Sequence, residues 1–168
     1  RGSIYPSYCT NFVKKFINEF QNKISEEWDS AIPIYFVRHY KTKLNNGTYL
    51  GQGRDPSIDN SPFKEKHLSN INLVYSSPMK RCIQTGRQMY KNKKIIKDDL
   101  LLEFNYGIAE GLSYEELIIK FPHMKKEWDK GIDSKFPEGE NTQDMLNRVK
   151  LFLNKISKTI DNPTLIIT

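Results

Sequence analysis

Cysteine is almost missing from this chain of 168 residues, where only Cys9 and Cys82 occur. Two cysteines form neither a disulfide framework nor a set of zinc ligands, so small scaffolds stapled by either are excluded. Long hydrophobic runs are missing as well. Ile34-Tyr35-Phe36-Val37 is among the longest, and Pro33 cuts it off from Ile32. A bilayer span needs about 20 apolar residues in succession, so no membrane partner is expected. The chain opens without a basic stretch followed by an apolar one, so no secretory signal is read there. Arg1-Gly2-Ser3 reads as a remnant of preparation, and the expected location is cytoplasmic.

What is present describes a folded domain. Hydrophobic residues make up 38%, aromatics 12% and charged residues 27%, which excludes a disordered or fibrous chain. The length suits one domain with a continuous core. Lys and Arg number 26 against 20 Asp and Glu, a formal net charge of +6. Such a field favours nucleic acid, an acidic membrane surface or a small anionic substrate. The lysines are scattered and mixed with Asn, as in Lys91-Asn92-Lys93-Lys94. They read as solvated faces, and no nucleic-acid partner is expected.

Periodicity gives the order of elements. Phe12, Val13, Phe16, Ile17, Phe20, Ile24 and Trp28 recur at helical spacing, predicting an amphipathic helix within residues 8–28. It reads as an N-terminal helical extension over 1–29, ahead of one domain over 30–168. Ile34–Val37 has the continuous apolar character of a buried parallel strand. Residues 40–70 collect Asn, Gly, Pro and Ser and read as long loops. Ile71–Tyr75 is predicted as a second strand. A helix is expected from Met79 to Tyr90, with Ser77 as its N-cap and Pro78 at its first position. Lys94–Lys97 is a third strand. Ser113 to Glu116 is a capping box opening a helix that stops before Pro122. Asn141 or Thr142 caps a further helix whose stripe is Met145, Leu146, Val149, Phe152, Leu153 and Ile156. Thr164–Thr168 follows Pro163 as the last strand. Strands alternating with helices imply an α/β fold, a three-layer sandwich with a mostly parallel sheet flanked by helices.

In such sheets, ligands bind beyond the carboxyl ends of the strands. That rule selects Arg38-His39 after the first strand and Ser76–Arg81 after the second. Arg81 falls in the first turn of its helix, where free backbone N–H groups favour an anion. Two arginines, a histidine and a helix start at one sheet edge suit a phosphate group, whose oxygens match the guanidinium fork. Other residues are read more plainly. Asp55 sits in a Gly- and Pro-rich turn. Gly51-x-Gly53 is no dinucleotide fingerprint, because no strand leads into it. His67 and His123 read as surface residues, and Glu115-Glu116 as helix capping.

Arg38-His39-Tyr40-Lys41-Thr42-Lys43-Leu44-Asn45 resembles the R-H-G-E/Q-T/S-x-x-N signature of the histidine phosphatase superfamily, which also contains the cofactor-dependent phosphoglycerate mutases. Gln52–Ile58 is similar to that family's Q-G-x-x-D-x-P-L, and Ser76–Thr85 to its S-S-P-L-x-R-A-x-Q-T. Leu102–Gly111 resembles L-x-E-x-x-x-G-x-x-E-G, and Pro137–Asn141 resembles P-G-G-E-S. The five segments stand in the family's order and cover roughly residues 30–168.

The resemblance implies a phosphoglycerate mutase-like fold and a phosphatase acting on small phosphomonoesters. His39 would be the nucleophile that forms a phosphohistidine, and Glu103 the general acid and base. Arg38 and Arg81 would hold the phosphoryl oxygens. Asn45 and the backbone around Gly53 would line the pocket. Neither a metal nor a cofactor is expected, because the arginines supply the positive charge. The expected partner is a small phosphorylated substrate, and a homodimer stays open.

Three departures from the family pattern bear on this reading. Tyr40 stands where the family has Gly, which would put a large side chain beside the nucleophile, and Lys41 replaces Glu or Gln. The family's second histidine follows the strand that here ends at Thr168, so the domain is expected to be C-terminally incomplete. The mutases carry an insertion before the acid/base glutamate, with further arginines, where this chain has Leu100-Leu101-Leu102. That argues against a phosphoglycerate mutase, which is kept as an alternative; the departures at Tyr40, Lys41 and the second histidine make a non-catalytic relative that binds phosphorylated ligands another.

Overall fold

Pro33 and Pro163 each precede a run of β-branched and aromatic residues, and the two runs pair. In the computed structural model, which describes residues 32–59, 68 and 70–168, Ile34–Val37 forms β1 and Thr164–Ile167 forms β4. Leu73–Ser76 (β2) and Ile95–Lys97 (β3) complete a four-stranded sheet in the order β1-β4-β2-β3, parallel throughout. The expected extension over 1–29, Cys9 and His67 lie outside the described residues.

Four helices are described: α1 (Lys80–Met89), α2 (Tyr114–Lys120), α3 (Pro122–Asp129) and α4 (Thr142–Ser157). The sheet's alternating side chains separate them into layers. Val74, Leu165 and Ile167 pack with Met79, Cys82 and Met89 on the α1 side. Ile166 points the other way into Phe152, Leu153 and Ile156 of α4, and Tyr75 meets Phe152 edge to face. This is the expected three-layer α/β arrangement. A third cluster joins Leu117 of α2, Met124 and Trp128 of α3, and Tyr49, Tyr106 and Phe136 from the loops.

The strand read as buried from its composition is an edge strand among the described residues. Tyr35 is 37% and Phe36 58% exposed, whereas all four residues of β4 are buried. Both runs are apolar, so composition does not separate the edge from the centre; position in the sheet does. β2 also begins two residues later than expected.

The cap of α1 is a second correction. Its N-cap is Met79, which makes no side-chain cap bond. Ser77 gives its N–H to the Ile167 carbonyl of β4, 2.9 Å away, which ties it to the sheet. The Lys80 N–H is instead received by both carboxylate oxygens of Asp55, at 2.8 and 2.9 Å. Pro122, read as a stop, also opens α3, because proline suits a first helical position. The capping boxes of Ser113 with Glu116 and of Asn141 with Asp144 are both formed.

Candidate active site

Because β4 lies between β1 and β2, the residues after those two strands emerge on either side of its end. The His39 N–H donates to the Thr168 carbonyl at 2.8 Å, and the Ser77 N–H to the Ile167 carbonyl at 2.9 Å. His39 and the start of α1 are thereby brought together at the carboxyl edge of the sheet.

His39 is 6% exposed. Its Nδ1 lies 2.7 Å from the Tyr40 carbonyl oxygen. A carbonyl only accepts, so in the neutral ring Nδ1 carries the proton and the lone pair falls on Nε2. Nε2 is buried and has no hydrogen-bond partner among the described residues. Burial lowers the pKa from its ordinary 6.5 to about 4; the Tyr40 carbonyl opposes this, and the charges of Arg81 and Arg38 reinforce it. The imidazole is neutral at pH 7 and presents a free lone pair.

Arg81 is fully buried, the largest side chain so enclosed among the described residues. Nη1 donates to the Arg54 carbonyl at 3.0 Å and reaches Asp55 at 3.5 Å. Nη2 donates to the Gly51 carbonyl at 3.0 Å and to Glu103 Oε2 at 2.9 Å. Nε is buried with no partner. A buried donor left unpaired costs free energy, of order 1–3 kcal/mol. An oxygen-rich anion between Arg81 Nε and His39 Nε2 would give Arg81 its acceptor.

The other expected residues divide. Glu103 is in the site through its ion pair with Arg81, and its carboxylate is one quarter exposed. Arg38 is exposed beside His39. Asn45 Oδ1 accepts from the Thr42 N–H at 2.8 Å and from the Thr42 hydroxyl at 3.2 Å, so it fastens its own turn. The Gly53 N–H, expected at the pocket wall, is taken by Glu110 Oε2 at 2.8 Å. The structure thus assigns Asn45 Oδ1 and the Gly53 amide to holding loops.

Tyr40 departs from its expected place beside the nucleophile. Its side chain packs against the core on the α1 side. Among the described residues the only non-glycine positive φ angles are at Asn70 and Glu138, so position 40 uses none of glycine's freedom. Its N–H donates to Thr85 Oγ1 at 2.9 Å, and the Thr85 hydroxyl donates to the Arg81 carbonyl at 2.8 Å. Thr85 thus couples the backbone after His39 to the helix that carries Arg81.

Sequence reasoning missed several supports. Asp55 caps α1 and touches Arg81, although its position in a turn suggested neither. Glu110 receives the N–H groups of Gln52 at 2.7 Å and Gly53 at 2.8 Å, holding the loop whose Gly51 and Arg54 carbonyls grip Arg81. A Cβ at Gly51, where φ is +69°, would overlap the Glu110 carboxylate, so the glycine spacing was the available signal. Glu140 was marked only as part of the segment similar to P-G-G-E-S, with no role attached, and nothing in the sequence singled out Arg148. His123 is exposed, as read. Among the described residues no group of three or more His, Cys, Asp or Glu is arranged to hold a metal, and no helix is long and apolar enough to cross a membrane.

Comparisons with known proteins show the family and the fold. The family model for the histidine phosphatase superfamily (branch 1) matches residues 34–168. Phosphoserine phosphatase 1 of Hydrogenobacter thermophilus is 29% identical over 147 residues, covering 81% of this chain and 69% of that protein. Fructose-2,6-bisphosphatase TIGAR of Xenopus tropicalis is 32% identical over 141 residues, 76% of this chain, but the match spans only 50% of that protein. Among solved structures, a putative alpha-ribazole-5'-P phosphatase of Escherichia coli superposes with a TM-score of 0.70 at 19% identity, covering 82% of this chain and 73% of that one. A phosphoglycerate mutase of Bacillus anthracis gives 0.57 at 22% identity, covering 82% and 74%. At these identities the structural likenesses establish the fold.

Proposed function

This chain belongs to the histidine phosphatase superfamily, and on that premise we propose that it hydrolyses small phosphomonoesters through a phosphohistidine on His39, without a metal ion. The observation that carries the proposal is the pairing of a buried neutral imidazole, its Nε2 free, with a fully buried Arg81 whose Nε is uncommitted.

In the first step His39 Nε2 attacks phosphorus and the bond to the ester oxygen breaks. Glu103, in its acid role, passes a proton to the departing alkoxide, and Arg81 and Arg38 hold the charge on the phosphoryl oxygens. A water then attacks phosphorus, Glu103 takes its proton and the P–N bond breaks, restoring the neutral ring. The Nδ1–H bond to the Tyr40 carbonyl fixes the tautomer throughout. The relatives' names, for phosphoserine and fructose-2,6-bisphosphate, favour a compact alcohol phosphate. The core position of Tyr40 favours catalysis over the non-catalytic alternative, since the position nearest the nucleophile carries no obstructing ring.

The test is phosphate release from p-nitrophenyl phosphate by the full-length protein in the presence of a chelator, compared with His39→Ala. The expected result is turnover and an acid-labile phosphoenzyme in the wild type, with neither in the variant. Equal turnover in both would refute the proposal. Glu103→Gln is expected to slow alkyl phosphates about 100-fold and p-nitrophenyl phosphate far less, the range of general acid catalysis.

A further inference from the structure

We infer that Arg148 and Glu140 are positioning residues for the acid/base Glu103, an inference that rests on the role just proposed for that carboxylate. Glu103 lies in an irregular segment between two short 3-10 turns, Asp99–Leu101 and Gly107–Ala109. No strand ladder or helix fixes its backbone. Arg148 does so from α4, a helix of 16 residues anchored in the core by Leu146, Phe152, Leu153 and Ile156.

All five N–H donors of the Arg148 guanidinium are used. Nη1 donates to the carbonyls of Leu100 at 2.9 Å and Leu102 at 2.7 Å. Nη2 donates to the Glu103 carbonyl at 3.2 Å and to Glu140 Oε2 at 3.0 Å, and Nε to Glu140 Oε1 at 2.9 Å. Glu140 Oε2 also accepts the Asn105 N–H at 2.9 Å. The ion pair therefore grips the backbone at 100, 102 and 103 on one side and at 105 on the other. Gln52 adds a third hold, its Nε2 donating to the Glu103 carbonyl at 2.7 Å.

The pair is largely enclosed, with side chains 15% and 17% exposed, so its bonds are little screened by water. A planar fork meets three carbonyls and a carboxylate at once, which the point charge of lysine cannot do. The arrangement fixes the main chain of Glu103 and leaves its carboxylate free to pass from Arg81 to the leaving oxygen. Neither Arg148 nor Glu140 touches the phosphoryl site, so their effect falls on the proton transfer and leaves phosphate binding intact.

The experiment compares Arg148→Lys and Glu140→Gln with the wild type on p-nitrophenyl phosphate and on an alkyl phosphate. Orthovanadate inhibition reports the phosphate pocket, and thermal melting reports the fold. A good leaving group departs without an acid, whereas an alkoxide needs one. Arg148→Lys is expected to lower kcat on the alkyl phosphate about 30-fold and on p-nitrophenyl phosphate no more than about threefold, with vanadate inhibition unchanged. Added to Glu103→Gln it is expected to cause little further loss, because both act on one proton. Equal losses on the two substrates, or a loss of vanadate inhibition, would overturn the inference. If Arg148→Lys does not fold, the same ratio measured on Glu140→Gln decides. A wild type that turns over neither substrate would refute the proposed function itself, and this inference with it.

Discussion

Lowering the pH should destabilise this protein through His39, by an amount that can be worked out. In the unfolded chain the imidazole titrates near 6.5; in the folded site it titrates near 4, held down by burial and then by Arg81 and Arg38. Between those values the unfolded state binds a proton that the folded state refuses, so stability falls as pH drops through the window and levels off below it. A difference of about 2.5 units at about 1.4 kcal/mol each gives about 3.4 kcal/mol over the whole window. Between pH 7 and pH 4.5, about 2.5 kcal/mol of that is lost. Urea unfolding at the two pH values measures it, with His39→Gln as the reference in which every other titrating group still contributes. The wild type should lose about 2.5 kcal/mol more than the variant over this range. A difference below about 0.5 kcal/mol, or an imidazole NMR titration centred near 6.5, would refute the reasoning. It would also remove the basis for a nucleophile that stays deprotonated in mild acid.

Two further predictions concern the loops. Glu138 holds a φ of +58°, where the family pattern has glycine, and a β-carbon in that region costs about 1 kcal/mol. Glu138→Gly should therefore raise the melting temperature by about 2–4 °C, read by calorimetry, and a lower melting temperature would contradict the assignment of strain. Glu110→Ala strands the Gln52 and Gly53 N–H groups that it now receives. It should weaken vanadate inhibition about tenfold through the loop that grips Arg81, whereas unchanged inhibition would show the loop to be held by other contacts.

The fold and the chemistry-bearing pair were legible in the sequence because both rest on local patterns. Short continuous apolar runs marked the strands and period-3.6 runs the helices, and the strand-end rule then selected Arg38, His39 and Arg81. What stayed hidden depends on partners distant along the chain. Asp55 reaches 25 residues ahead to cap α1, and Arg148 reaches back 48 residues to Leu100. No spacing rule links such positions. Edge against centre was hidden for the same reason, since β1 and β4 have similar compositions and differ only in their neighbours. Tyr40 shows a different limit. A substitution beside His39 gives no sign of which way the new side chain will turn, and here it packs against the α1-side core.

The pairing of Ile34 with Thr164 closes a loop of about 130 residues. Loops of that length form late in folding, because their closure entropy must be met before their contacts form. His39 and Ser77 both lean on β4, so neither half of the site has its partner until that strand has slotted between its neighbours. During synthesis residues 34–163 would leave the ribosome before the proposed anion site could assemble, and the arrival of β4 would then bring its two halves together. Affinity for a phosphate mimic therefore becomes a clock for the insertion of β4.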